Sequence, residues 1–538
     1  MNPQLMSRNR MRQTCWISFL MVASAGVLGA ISAARGAGHL SVPQPGGVPG
    51  RPVITSLERS GSNFVVRWEG AAGKYQLYKK PITGGQWQAV GAASSARSAT
   101  VNGTNLMFRV GGLGLEYGGS EKCMECHGSI NNTVARTPHA YALEALRNVG
   151  QERNPSCLPC HTVGYGLPGG FTSASATPRL GGVGCENCHG PAANHAANEN
   201  DPIARPVADV SAAICGGCHN TPEYPTYSQW ATSGHARVTP GVLGVMNSSS
   251  ANLSGCGRCH SGSVRLSLIN REPLPSGDAD VGVVCVVCHD PHQTTGHPAQ
   301  LRNPVSSTNN YSLSTTANFS TAYRANVGIC AQCHNDRGAS WVHTAAPPHP
   351  SAQYNMLLGT VGELVSGAAP SSPAAHAFVE KQCVGCHMPT PEHADNPFGV
   401  GPVPMHFFSV SSYQMCKDCH PFPEELADFT AYAVQLQVQQ IKAGLDLWGR
   451  TRAPEVLRVR YGERAWEYTS PGGLSNPPGV SAPGPSASEQ NLIPVNIRKA
   501  RYNLYLVYGD GSYGVHNALH SSTLLEAARQ WVETELSR

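Results

Sequence analysis

The chain has 538 residues, enough for roughly two to four domains. Only 13% of the residues are charged, while 58 are Gly and 41 are Pro, which argues against long regular helices or sheets through most of the chain. The net charge of +4 comes without a basic cluster, so nucleic acid is not expected as a partner. We therefore expect the 19 Cys and 22 His to organise the fold.

The N-terminus has the pattern of an export signal. Three arginines precede an apolar run from Trp16 to Ile31, and small residues follow it. We predict that residues 1–36 are a signal peptide and that the mature protein is periplasmic, extracellular or at the cell surface. Cys15 would leave with the signal, so 18 of the 19 cysteines remain. The alternative is an uncleaved signal that anchors the chain; otherwise membrane association would come only through partners.

Residues 52–113 differ in pattern from the rest of the chain. Segments such as FVVRWEG and LMFRVGG alternate apolar and polar residues, and turn signals such as TGG and NGT separate them. This predicts a small β-sandwich with Trp68 in its core, and the segment resembles a fibronectin type III domain. We expect a role in docking or spacing, because no ionisable cluster suggests catalysis.

The remaining cysteines form nine CxxCH motifs, named motif 1 to motif 9 in chain order. Two thiols at this spacing can add to the two vinyl groups of one haem, and the adjoining His then becomes the proximal iron ligand. Zinc sites and redox disulfides also use CxxC pairs, but neither needs a His after every second Cys.

We therefore predict nine covalently bound c-type haems as cofactors. The attaching cysteines are Cys123, Cys126, Cys157, Cys160, Cys185, Cys188, Cys215, Cys218, Cys256, Cys259, Cys285, Cys288, Cys330, Cys333, Cys383, Cys386, Cys416 and Cys419. The proximal ligands are His127, His161, His189, His219, His260, His289, His334, His387 and His420.

The remaining histidines decide what each haem can do. Nine of the 22 histidines belong to the motifs, which leaves 13 as candidates for the second axial position. An iron with two His ligands suits electron transfer, whereas an open iron can bind a substrate. His39 lies beside the predicted cleavage region and is not expected to be a ligand. Three residues span at most about 10 Å, so His292 cannot reach around the haem of His289 and must serve a different one.

Several stretches carry a family resemblance. SEKCMECHGSINNTVARTPHAYAL, NPSCLPCHTVGYGLPGGF and GVGCENCHGPAANH resemble the multihaem cytochrome c-554-like family, which is related to hydroxylamine oxidoreductase and pentahaem nitrite reductase. The likeness extends from Tyr117 to the C-terminus. It implies that the distal ligands include His139, His195, His235, His292, His349, His376, His406 and His516. The candidates for the ninth iron, which otherwise stays open, are His297, His343, His393 and His520, with Met388 or Met405 as a poorer choice.

The predicted fold class is mixed: a small N-terminal β-sandwich, then an irregular, haem-cored multihaem cytochrome c domain with C-terminal helices. The nine-motif domain spans residues 117–425, and a helical part over 426–538 contributes a distal ligand. Its predicted helices are Pro423 to Trp448, Ile497 to Val507 and Ser521 to Leu536. Between the first two, the Pro- and Gly-rich stretch Ser470 to Ser488 predicts a loop or linker.

Three functions are compatible with these features. The favoured one is an electron carrier that relays electrons between redox partner proteins or to an extracellular acceptor. The second is an oxidoreductase that acts on a small nitrogen or sulfur compound at one open haem, as the resemblance to hydroxylamine oxidoreductase implies. Pentahaem nitrite reductases carry Lys at the active haem, whereas every motif here ends in His. The third is a subunit of a homo-oligomer or polymeric filament.

The motif count is directly testable. We expect nine haems per chain, and eight when Cys157→Ser and Cys160→Ser remove both thioether bonds of motif 2. Intact mass and haem absorbance per mole of protein measure the ratio. Cys15→Ser is the control and should leave nine haems. A ratio in the unmodified holoprotein other than nine would contradict the prediction.

Overall fold

The computed structural model describes residues 53–113, 116–302, 329–390 and 403–538, with short gaps inside these ranges. The gaps are residues 61, 70–73, 82–87, 95, 104, 105, 168, 198, 201–205, 207–209, 223, 224, 276, 278 and 380. The predicted signal peptide, Cys15, His39 and His393 lie outside the described residues.

Six strands form the N-terminal region. They are β1 Val53–Ser60, β2 Asn63–Glu69, β3 Lys74–Pro81, β4 Gln88–Ser94, β5 Ser98–Asn102 and β6 Leu106–Leu113. Two antiparallel three-stranded sheets result, with strand orders β1-β2-β5 and β4-β3-β6. Val66 and Trp68 of β2 share a buried core with Tyr75 and Leu77 of β3. The Trp68 and Tyr75 ring centroids are 6.4 Å apart, so the small N-terminal sheet region expected from the alternation is confirmed.

Short helices follow, joined by irregular segments. They are α1 Ser120–Val134, α2 Ala142–Asn148, α3 Leu158–His161, α4 Cys185–His189, α5 Ala193–Ala197, α6 Ala212–Gly216, α7 Thr226–Thr232, α8 Pro240–Met246, α9 Ser250–His260, α10 Gly262–Asn270, α11 Cys285–Cys288, α12 Gln353–Leu358 and α13 Gln382–His387. Single 3-10 turns are Pro138–Tyr141, Pro178–Leu180, Gly234–Ala236, Pro298–Gln300, Ala375–Phe378 and Gln414–Cys416. This is the irregular region that the Gly and Pro content predicts.

The CxxCH motifs themselves form helical turns. The amide of the motif His donates to the carbonyl of the first motif Cys at 2.8 Å in His219 and His420 and at 2.9 Å in His289. This turn brings both thiols and the imidazole of a motif close together, which is the arrangement that one haem requires. In α9 and α13 the helix ends at the motif His itself.

Longer helices build the C-terminal part. They are α14 Pro423–Thr451, α15 Glu455–Tyr461, α16 Val495–Asp510 and α17 Ala518–Ser537, with 3-10 turns at Gly462–Arg464 and Glu489–Leu492. The three predicted helices are therefore confirmed. Helix α14 starts where predicted and extends three residues further at its C-terminal end, and α16 and α17 extend one to three residues beyond both predicted ends. They share a core around Leu445, Trp448 and Leu524. No helix in the part of the chain that the structure describes is long and apolar enough to span a membrane.

A buried polar cluster ties this core together. Arg501 is fully buried on α16, and its guanidinium donates to the carbonyls of Trp466 and Glu467 at 2.7 and 2.8 Å and to Gln490 Oε1 at 2.8 Å. It also lies 4.0 Å from the Tyr468 ring centroid. The Trp466 carbonyl and Gln490 Oε1 are cut off from water and accept from Arg501, while the Glu467 carbonyl also accepts from Gln490 Nε2 at 2.9 Å.

We expect Arg501→Ala to lower the free energy of unfolding by about 3–5 kcal/mol, because it leaves buried acceptors without donors. Guanidinium unfolding of the holoprotein followed by far-UV circular dichroism measures the change. The control is Arg450→Ala, which breaks an exposed pair with Glu463 (Nη1 to Oε2 2.8 Å) and should cost less than about 1 kcal/mol. Equal losses in the two variants would contradict the assignment.

Candidate haem-binding sites

The motif cysteines are not tied up in disulfides. Each of the 18 described cysteines is a thiol that forms no disulfide with another described cysteine. Among the described residues, no three or more His, Cys, Asp or Glu side chains converge on a point that could hold a metal ion. The described thiols therefore do not form the four-ligand clusters that zinc prefers.

The main feature of the middle region is a set of histidine pairs, each combining a motif His with one from outside the motifs. The ring centroids lie between 5.8 and 6.3 Å apart. The pairs are His189–His292, His219–His139, His260–His349, His289–His406, His334–His235, His387–His516 and His420–His376.

This spacing fits a haem iron. A metal–imidazole bond is about 2 Å long and the ring centre lies about 1 Å further out, so two imidazoles on opposite sides of one metal have centres about 6 Å apart. At the seven motifs with a paired histidine, the donor set of two thiols and two imidazoles is that of a six-coordinate c-type haem, so the residues fit the group.

Burial keeps these imidazoles ready to act as ligands. It lowers the pKa of His235 to about 4, and the neighbouring His334 adds to the effect. Burial likewise lowers the pKa of His406 to about 4. A neutral imidazole keeps the nitrogen lone pair that a metal needs, so the rings are in the ligating form at neutral pH.

Hydrogen bonds orient several of the rings. Nδ1 of His289 lies 2.7 Å from the Ala299 carbonyl, and Nδ1 of His376 lies 2.9 Å from the Val515 carbonyl. An Nδ1–H held in this way fixes the tautomer and directs Nε2 outward as the ligating atom. Nδ1 of His516 instead donates to a carboxylate, Asp510 Oδ1, at 2.8 Å. Burial opposes protonation of His516, but Asp510 outweighs it and raises the pKa.

Two motif histidines have no such partner among the described residues. Within the described ranges, no ring contact is found between His127 or His161 and a second imidazole at the spacing of the seven pairs. Of the eight histidines predicted to be distal ligands, seven pair with a motif His in the described structure and His195 does not. His195 lies on α5, which packs against α1, the helix that carries His127, and its Nδ1 is buried without a partner in the described chain.

The candidates for the ninth ligand differ in the state of their ring nitrogens. His520 uses both: Nδ1 lies 2.7 Å from Ser371 Oγ and Nε2 lies 2.8 Å from the Val361 carbonyl. His343 is exposed. Nε2 of His297 is buried and has no partner among the described residues. Of these three, His297 is the one with a buried ring nitrogen left for a metal.

Contacts between cysteines show which motifs are neighbours in space. Thiols of different motifs lie close enough to shift each other's pKa in the pairs Cys123–Cys185, Cys160–Cys218, Cys215–Cys285, Cys259–Cys333 and Cys330–Cys383. If haems were attached, these sulfurs would be thioethers at the edges of the macrocycles, and such pairs would bring neighbouring edges together.

Other cysteines are close enough to influence each other electrostatically. Burial raises the pKa of Cys188 to about 11, and the thiol of Cys215 adds to the shift. Burial raises the pKa of Cys386 to about 11, and the thiol of Cys416 adds to it in the same way. These two contacts join motif 3 to motif 4 and motif 8 to motif 9.

One further contact closes the series. The hydrogen bond to Cys383 and burial raise the pKa of Cys330, and the nearby thiol of Cys288 adds to the shift, which joins motif 6 to motif 7. The contacts together run through motifs 1, 3, 4, 6, 7, 8 and 9. Motif 2 lies beside motif 4 and motif 5 lies beside motif 7, as two side branches.

Sequence reasoning missed two residues that line these sites. The Phe408 ring lies 4.4 Å from His235 and 5.9 Å from His406, between two different histidine pairs. Asp510 precedes His516 in the stretch DGSYGVH, where only its position near a candidate ligand could have marked it. Neither has a spacing rule that would identify it from sequence.

The comparisons with known proteins agree with this chemistry. Residues 122–190, which hold motifs 1 to 3, match the family of cytochrome c554 and c-prime. Cytochrome c-554 of Nitrosomonas europaea is 38% identical over a match that covers 14% of this chain and 40% of that protein. The chain thus matches less than half the length of this relative.

Two solved structures are similar to most of the chain at low identity. The outer cell wall cytochrome OcwA is 18% identical, with a TM-score of 0.48 over 77% of this chain and 99% of that one. The undecaheme cytochrome from the S-layer of Carboxydothermus ferrireducens is 18% identical, with a TM-score of 0.44 over 89% of this chain and 62% of that one. The family match over three consecutive CxxCH motifs supports a multihaem c-type cytochrome.

Proposed function

We propose that this chain is an exported nonahaem c-type cytochrome that relays electrons between redox partners or to an extracellular acceptor. The observation that carries the proposal is the series of thiol contacts through motifs 1, 3, 4, 6, 7, 8 and 9. Each contact would bring the edges of two haems together, and short edge-to-edge distances are what electron transfer between cofactors needs.

The histidine pairs support a carrier rather than a catalyst at most sites. An iron that holds two protein imidazoles has no position left for a substrate, and its coordination changes little on reduction. The seven pairs would give seven such irons. We assign His195 to the iron of His127, because α5 packs against α1.

The remaining iron, that of His161 in motif 2, supports a second candidate function. No imidazole faces His161 among the described residues, and motif 2 is a side branch beside motif 4. An open iron there would allow reaction with a small nitrogen or sulfur compound, with motif 4 carrying electrons to or from it. His297 would remove this option if its free Nε2 reaches the same iron.

The other parts of the chain would serve this relay from outside it. We propose that the two sheets over residues 52–113 form a fibronectin type III-like β-sandwich that docks or spaces the haem domain. The haems themselves would provide much of the core of residues 117–425. Partners are expected to be redox proteins or an extracellular electron acceptor, with a homo-oligomer or filament as a further assembly.

The ligand assignment predicts a specific spectral change. We expect His292→Gly to remove the second imidazole from the iron of His189, so that one high-spin haem appears and added imidazole restores the low-spin spectrum. Electron paramagnetic resonance and visible spectra measure the change. His343→Gly, at an exposed histidine, is the control and should leave the spectra unchanged. An unchanged spectrum of His292→Gly would contradict the pairing with His189.

The relay predicts that removal of a motif in the series slows electron transfer more than removal of a motif on a side branch. The protein is reduced on an electrode, and the rate of electron transfer from it to ferric citrate is measured. Removing motif 6 with Cys285→Ser and Cys288→Ser should lower this rate tenfold or more. Removing motif 5 with Cys256→Ser and Cys259→Ser should leave that rate within about twofold, because motif 5 is a branch beside motif 7.

Haem counting must first show eight haems in both variants. Equal rates in the two variants would overturn the relay. A catalytic current with nitrite or hydroxylamine that disappears with Cys157→Ser and Cys160→Ser would instead establish the second candidate, an enzyme at motif 2.

A further inference from the structure

Among the Nδ1 contacts of the described histidines in the seven pairs, that of His516 differs from the others. Its Nδ1 lies 2.8 Å from Asp510 Oδ1, and the Asp510 side chain is only 1% exposed. The Ser512 hydroxyl donates to the other carboxylate oxygen and also accepts from the amide of His516 at 3.2 Å. The Asp510 carboxylate at the C-terminal end of α16 is thus fixed by hydrogen bonds from both the His516 ring and the Ser512 hydroxyl.

The other outer partners are neutral. Where an Nδ1 partner is found in the described chain, it is a carbonyl for His376, His406 and His289, at 2.7 to 2.9 Å. For His349 it is the Ser351 hydroxyl at 2.9 Å, and for His334 it is an amide oxygen, Gln353 Oε1, at 3.2 Å. Among these described contacts, Asp510 is the one acceptor that carries a formal charge.

The charge of Asp510 is also not cancelled nearby. Among the described ion pairs, those that involve Asp510 contain no Lys or Arg; its recorded partner is His516. The negative charge of Asp510 also acts on the pKa of two other groups, the imidazoles of His387 and His520. Because the carboxylate is buried, solvent and salt screen it little.

A charged acceptor on Nδ1 changes the ligand itself. Hydrogen bonding to a carboxylate makes an imidazole a stronger donor to the metal, and charged acceptors give stronger bonds than neutral ones. A stronger donor and a buried negative charge both favour the ferric over the ferrous iron. The potential of a haem with such a ligand is therefore lower than that of haems whose ligands bond to carbonyls.

We propose that Asp510 is a positioning residue that makes the haem of motif 8 the lowest-potential haem of the series. This inference rests on the proposed function, in which His387 and His516 share one iron and motif 8 lies between motif 7 and motif 9. Electrons passing between motif 9 and the rest of the series must then cross an uphill step at motif 8. Asp510 sets the height of that step and so limits exchange at the motif 9 end.

The test is a redox titration of the holoprotein with Asp510→Asn. The amide keeps the shape and an oxygen acceptor while it removes the charge. We expect one component to move to higher potential by at least the equivalent of a tenfold change in its reduction equilibrium constant, about 59 mV for one electron. The lowest component of the unmodified protein should be the one that moves, and it should be missing when Cys383→Ser and Cys386→Ser remove motif 8.

Two controls separate this effect from general ones. Glu467→Gln changes another fully buried carboxyl group, which contacts Tyr505 rather than a histidine, and should leave every component in place. Ser351→Ala removes a neutral partner from His349 and should shift its haem by much less than tenfold. Haem counting and far-UV circular dichroism confirm that each variant is folded.

The outcomes are distinct. Unshifted components in Asp510→Asn, with the low-spin spectrum intact, would overturn the proposal and leave Asp510 with an orienting role only. A shift of equal size in Glu467→Gln would overturn it as well. If instead His516→Gly produced no high-spin haem, the shared iron of His387 and His516 would be wrong. That result would count against the ligand assignment in the proposed function rather than against the charge effect alone.

Discussion

The rest of the structure depends on one geometric feature, the placement of two imidazole rings about 6 Å apart in each of the seven histidine pairs. The CxxCH turn fixes only one ring of each pair. The other must come from a distant segment, as when His516 beyond α16 meets His387 on α13. Each pair therefore joins two parts of the chain, in the way that a packed core joins helices in an ordinary domain.

The distribution of apolar clusters along the chain fits this joining role of the histidine pairs. The large apolar core lies in the C-terminal part, around Trp448, Trp466 and Leu524. In the motif region the apolar clusters are small, such as Ala331, Tyr354, Leu357, Leu358 and Ala377. Small clusters of this kind bury too little area to organise the irregular chain alone. These small clusters are consistent with a core in which bound cofactors fill the space that side chains occupy in an ordinary domain.

The sequence predicted local features better than long-range ones. Each of the nine motifs is recognised within five consecutive residues. The alternation of apolar and polar residues in FVVRWEG predicted strand β2 and a core position for Trp68. Helix α17 begins before its predicted start at Ser521, because Asn517 caps it by accepting from the amide of His520. The cap lies outside the apolar pattern on which the prediction was based.

Partner choice was beyond sequence reasoning. Chain reach excluded His289 as the partner of His292, yet nothing in the spacing selects His189, whose ring lies 5.9 Å away. The same holds for Asp510, whose effect depends on the turn that follows α16. Such contacts depend on the tertiary arrangement of segments that are far apart in the chain, and no periodicity encodes them.

The histidine pairs also divide the assembly of the holoprotein into two stages. Attachment of a haem needs only the two thiols of one short turn, so it can follow the chain as it emerges. Completion of the ligand set must wait for a second segment: motif 3 for His292, and motif 8 for the C-terminal region that holds His516. On the proposed ligand set, an iron held only by its motif His would in that interval be open to water and small ligands. Maturation would therefore be the stage at which such irons are most exposed.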